Sequence, residues 1–155
     1  MALKLAEKNI AALTANFQLN CQDMLKGVAE KVAEFDVVFS SYSLHHFQRV
    51  DKAALFQSVY AALKKGGVFV LIDTVRAADE TLQVYYHHYL GYVSEYWRAL
   101  SQEEIQRVSD HVRCSDYPEN AQTLQRLGLE AGFDDLNVLV EHHWHQLMVF
   151  NKNSH

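Results

Sequence analysis

Residues Glu34 to Phe47 read EFDVVFSSYSLHHF, and the fold turns on how this stretch is read. Phe35 to Phe39 is a short apolar run with two adjacent β-branched valines, Val37 and Val38. Such a run reads as a parallel strand buried on both faces. Ser40, Ser41, Tyr42 and Ser43 follow at once, so the strand's carboxyl end is expected to open into a small polar loop. Ligands of open α/β sheets bind outside the carboxyl ends of strands. Ser40 to His46 is therefore the first place to look for chemistry.

Working outward, Asp51 to Lys64 has helical spacing with Leu55, Val59, Ala62 and Leu63 inward. Asp51 is its expected N-cap and Gly66-Gly67 its stop. Val68 to Ile72 is a second apolar strand, ending at Asp73-Thr74. Before the deciding stretch, residues 1–13 place Leu3, Ala6, Ile10 and Leu13 on one helical face. A short strand is expected at Asn16 to Asn20, then a short helix or crossover over residues 24–33. Beyond Thr74 the chain reads as helical and rich in tyrosine, with Ser101-Gln102-Glu103-Glu104 as a capping box. Pro118 is expected to open the last helix, which ends near Gly128 to Gly132. Leu136 to Val140 and Gln146 to Phe150 finish as two strands joined by His142 to His145. So short a connection makes them antiparallel. The expected fold is α/β, a mostly parallel sheet closed by an antiparallel hairpin.

The totals bound the function. A chain of 155 residues is most simply one domain with a real core. A formal charge of -5 excludes a general nucleic-acid binder, because no basic stripe exists to neutralise phosphates. Cys21 and Cys114 lie far apart without metal spacing, which points to a reducing, cytoplasmic compartment. No apolar run approaches a membrane span and no signal peptide is visible.

The ordered set Phe35-Asp36-Val37-Val38-Phe39-Ser40, then Leu44-His45-His46, then Leu63 to Asp73 (LKKGGVFVLID), resembles the class I S-adenosylmethionine-dependent methyltransferases. The resemblance implies that these segments are the family's fourth and fifth strands. Ala131-Gly132-Phe133 and the terminal hairpin resemble its sixth and seventh. It implies a Rossmann-like sheet, S-adenosylmethionine as cofactor and a small-molecule methyl acceptor. The family's glycine-rich cofactor loop has no counterpart, since no Gly-x-Gly occurs in the chain. Residues 1–155 are thus expected to be a single methyltransferase-like domain lacking the family's first strands. That leaves two functions open, a small-molecule methyltransferase and a non-catalytic dimerisation or partner-binding module. The sheet edge so exposed, or the aromatic helices, are expected to support a homo-oligomer.

The resemblance also assigns candidate residues. Asp23 and Met24, after the Asn16 to Asn20 segment, would meet the adenine; the alternative for Asp23 is a helix N-cap. Ser40, Ser41 and Tyr42 would line the methionine side, or simply be polar residues at a strand end. His45 and His46 are candidates for a general base, against packing with one satisfied ring nitrogen. Asp73 either lies at the substrate mouth or caps its turn. The aromatic stretch Tyr85 to Trp97 would cover the substrate, or form core or a dimer interface. His87-His88 and His142, His143 and His145 lack specific ligand spacing, so no metal is assigned.

Overall fold

The computed structural model describes residues 2–11 and 16–153. Helix α1 is Ala2–Ile10, α2 Met24–Ala29, α3 Arg49–Ala62, α4 Leu82–Tyr96, α5 Gln102–Ser115 and α6 Ala121–Ala131. The strands are β1 Phe35–Ser41, β2 Leu63–Thr74, β3 Leu136–His142 and β4 His145–Asn151. They form one sheet in the order β1-β2-β4-β3. β1 and β2 pair in parallel, while β4 runs against both β2 and β3. Three strands therefore share one direction and the last opposes them, as the sequence pattern implies.

Alternation along β2 builds the main core. Phe69 and Leu71 are buried on the face that also receives Met148 and Phe150 from β4. Leu55, Phe56 and Val59 of α3 and Leu124 and Leu127 of α6 cover that face. Gly128 lets α6 approach closely, since a Cβ there would stand 2.7 Å from Cδ1 of Phe150. Gly132 ends α6 at φ 108, a left-handed conformation open to glycine. The tyrosine stripe builds a second core: Tyr85, Tyr86, Tyr89 and Val93 of α4 bury against Val112 of α5. These rings are interior, so the dimer-interface reading does not hold for the buried part of the stripe.

Several expected boundaries move. Asn16 to Asn20 forms no strand; these residues are without regular structure, and Phe17 and Leu19 are exposed. Helix α3 stops at Ala62 and not at Gly66-Gly67, because Leu63 is already extended and pairs with Phe35. The register then slips between Phe35 and Val37, and Gly66 at φ 74 donates to the carbonyl of Lys152 within that irregularity. Asp51 sits in the first turn of α3; Gln48 is the N-cap, without a side-chain bond. Asn120 caps α6 in place of Pro118, accepting from the Thr123 amide at 2.8 Å. The expected capping box at Ser101 and Glu104 is formed. Nor is β1 buried on both faces, for Val37 and Phe39 are more than half exposed. β1 is an edge strand, and an edge leaves one side of a strand without cover.

Candidate active site

Ser40 and Ser41 belong to the end of β1 and not to a loop, which the chain leaves through Tyr42 at φ 49. A left-handed tyrosine is unfavourable by roughly 1 kcal/mol, and its amide is anchored to the Ile72 carbonyl at 2.8 Å. The chain then makes a single 3₁₀ turn, Leu44–His46, over the end of β2. Ser40 and Ser43 hydrogen-bond through their hydroxyls at 2.9 Å across this bend.

Asp73 organises the turn. Its Oδ2 accepts the amides of Leu44 at 2.7 Å and His45 at 3.3 Å, and its Oδ1 accepts the Thr74 amide at 2.7 Å. The same Oδ1 meets Nδ1 of His45. Asp73 is 1% exposed, yet these donors satisfy its charge. Of the two sequence alternatives for Asp73, capping the turn is the one realised; His45, held in front of it, is the residue that lines the cleft. By holding Nδ1 of His45, Asp73 turns Nε2 away from itself, toward Asp116.

Asp116, the C-cap of α5, was not flagged by any local pattern. Its buried Oδ1 lies 3.8 Å from Nε2 of His45, 3.1 Å from Nδ1 of His46 and 3.6 Å from Nε2 of His111. Burial raises the Asp116 carboxyl above its ordinary value, while His45, His46 and His111 oppose the rise. The segment carrying Asp116 is tied down by the Tyr117 amide, which donates to the His45 carbonyl at 2.7 Å. Lys52 bridges the same two segments, donating to the carbonyl of Phe47 at 2.7 Å and to that of Tyr117.

These groups border an open cleft of about 440 Å³, which Tyr42, Thr74, Tyr89, Trp97 and His145 also line. Burial lowers the basicity of His145, with His142 adding to the effect, so aromatic rings and a weakly basic imidazole share the wall. A larger cleft, about 540 Å³ beside Arg49 and Arg76, offers less chemistry because Glu119 already pairs with both guanidinium groups.

The predicted cofactor residues divide between two places. Asp23 is exposed and its Oδ1 accepts the Lys26 amide at 3.0 Å, so its N-cap role is realised. Met24 lines an apolar groove of about 310 Å³ between α2 and β1, with Val28, Phe35, Val37 and Val38. Met24 and Ser40 both line a smaller recess of about 80 Å³, which shares Met24, Val28 and Val38 with that groove. Tyr42 instead faces the histidine cleft, and Ser41 is exposed. Among the described residues, no cradle of close backbone amides is present for S-adenosylmethionine. His87 and His88 are exposed, with His88 on Glu80 at 2.8 Å. No helix among the described residues is long and apolar enough to cross a membrane.

Comparison with known proteins agrees with this reading. A family model described as a methyltransferase domain matches residues 1–67. The chain is 26% identical over 125 residues to a carboxy-S-adenosyl-L-methionine synthase of Staphylococcus epidermidis, covering 75% of this chain and 53% of that protein. It is 26% identical over 152 residues to the protein of the same name in Campylobacter curvus, covering 94% and 59%. The chain thus spans between half and three-fifths of these curated relatives. Among solved structures, the O-methyltransferase family 2 protein of Planctomyces limnophilus, in complex with apigenin, superposes with a TM-score of 0.69. It is 16% identical, and the match covers 97% of this chain and 39% of that one. In sequence pattern, in its curated relatives and in fold, the chain is similar to the class I S-adenosylmethionine-dependent methyltransferases.

Proposed function

We propose that the chain carries the acceptor side of an S-adenosylmethionine-dependent methyltransferase for a small molecule bearing a hydroxyl group. The observation that carries this reading is the His45–Asp73 pair at the carboxyl ends of β1 and β2, opening onto an aromatic cleft. Asp73 fixes the imidazole tautomer by accepting the hydrogen bond of Nδ1–H, which leaves the Nε2 lone pair to receive the acceptor's proton. Tyr42, Tyr89 and Trp97 offer ring faces and edges to a flat apolar acceptor and keep water from it. Asp23, Met24 and Ser40 would hold the adenosyl end along the β1 groove, with Ser41 at the rim. The cofactor supplies a methyl group on sulfonium, whose transfer depends chiefly on in-line positioning.

A calorimetric titration with S-adenosylhomocysteine tests the cofactor assignment. Saturable one-to-one heat is expected, weakened in Asp23→Ser. Serine also caps helices, so this variant should keep its melting temperature while losing the carboxylate. Absence of heat at high protein concentration would overturn the assignment. It would favour the second reading, a partner-binding or dimerisation module, which the exposed Val37 and Phe39 on β1 support.

A further inference from the structure

Three donor atoms converge where the proposed acceptor cleft meets α5. One potential ligand atom from each of His45, His46 and Asp116 lies within 4.8 Å of the other two, and Oδ1 of Asp116 faces Nε2 of His45 and Nδ1 of His46. Zinc bonds of about 2.0–2.1 Å at tetrahedral angles put ligand atoms about 3.3 Å apart. The separations of 3.1 and 3.8 Å from Oδ1 to the two rings straddle that spacing. Oδ1 is buried with three imidazoles around it; Nδ1 of His46, 3.1 Å away, is also 3.3 Å from the Ser115 carbonyl, so a metal ion there would displace the proton that this nitrogen holds toward that carbonyl. With Nδ1 of His45 donating to Asp73, the Nε2 lone pair and the Asp116 oxygen face each other as two acceptors. Only a cation or an added proton makes that arrangement favourable.

The surroundings are those of a ligand set and not of a loose cluster. Asp73 stands behind His45 as carboxylate behind imidazole, an arrangement that orients metal-bound histidines and raises their donor strength. Lys52 and the Tyr117 amide clamp the histidine turn to the Asp116 segment, so donors 70 residues apart in sequence are pre-positioned. His111, more than half exposed, 3.6 Å from Oδ1 and packed edge-on against His46, stands beside the three donors as a candidate fourth ligand. Two imidazoles and one carboxylate suit zinc better than magnesium or calcium, which prefer oxygen throughout.

We propose that His45, His46 and Asp116 form a binding site for a zinc-class divalent cation. Its consequence rests on the proposed function: bound metal occupies the Nε2 lone pair that would otherwise take the acceptor's proton, so loading silences the base. Binding itself does not depend on that reading.

The test is titration of the full chain with zinc alone, followed by calorimetry, and with cobalt alone, followed by visible absorption. Saturable one-to-one binding and the intense bands of four-coordinate cobalt are expected. His46→Ala and Asp116→Ala should each weaken binding by at least about tenfold, while His142→Ala/His143→Ala binds as the parent does. Should an alanine variant fail to fold, imidazole nitrogen spectra of the unaltered protein serve instead: the His45 and His46 signals should move together during zinc addition. Absence of saturable binding, loss of binding in the His142/His143 variant, or unmoved His45 and His46 signals would each overturn the proposal. Binding of S-adenosylhomocysteine should persist in zinc, so failure of one titration leaves the other readable.

Discussion

Burying the ammonium of Lys52 removes water that the carbonyls of Phe47 and Tyr117 only partly replace. Desolvation therefore lowers its pKa from 10.5 to about 8, against the opposing pull of Glu119 and Asp73. The sign of the linkage follows. Between about pH 8 and 10.5 the unfolded chain holds this proton and the folded chain releases it, so the Lys52 contribution to stability rises with pH across that window. The difference is worth about 3 kcal/mol when complete. Measured by urea denaturation at pH 7.5 and pH 10, the parent protein should gain about 2 kcal/mol on Lys52→Met. An unchanged difference between the two would mean that Lys52 is better hydrated than its burial indicates. At this scale the sequence exposed His45, His46 and Asp73, because they sit at the ends of apolar runs. Asp116 is not marked by its neighbours in the chain, and two of its partners, His45 and His46, lie 70 residues and more before it.

Among the elements, α6 shows how close packing sets what a helix can tolerate. Its glycine at 128 costs about 1 kcal/mol of helix preference relative to alanine, yet a Cβ would press on the fully buried ring of Phe150. Overpacking of this kind costs about 1–3 kcal/mol. Gly128→Ala is therefore expected to destabilise by roughly 1–2 kcal/mol in spite of the propensity gain, read as a lower denaturation midpoint at unchanged slope. A stabilised variant would show that α6 stands further from β4 than the packing indicates. Capping chemistry carried the start of α5, where Ser101 and Glu104 satisfy each other locally. It misjudged the start of α3. Asp51 is a good cap by type, but the helix begins three residues earlier, with Gln48 as its N-cap and Arg49 its first residue.

For the whole molecule, the helical cover lies over the face of Phe69, Leu71 and Phe150, while Val37 and Phe39 of β1 remain more than half exposed. An apolar edge strand with free backbone groups pairs readily with another chain. Sedimentation velocity should accordingly reveal concentration-dependent association that Phe39→Lys abolishes, because a lysine at the edge opposes strand addition. Identical sedimentation of the two proteins would exclude β1 as the contact.

The sequence by itself determined the α/β class, the strand directions and the histidine turn at the end of β1. Each depends on neighbours in the chain: apolar runs, turn residues and a hairpin too short to cross over. Tertiary structure alone decided that Asn16 to Asn20 is not a strand, since a strand needs a partner as well as a pattern. It alone joined Asp116 to His45 and His46. It also made interior residues of Tyr85, Tyr86 and Tyr89 in α4, by bringing α5 and Trp144 against them. Burial and convergence are properties of packed elements, and no local run of residues encodes what will fold against it.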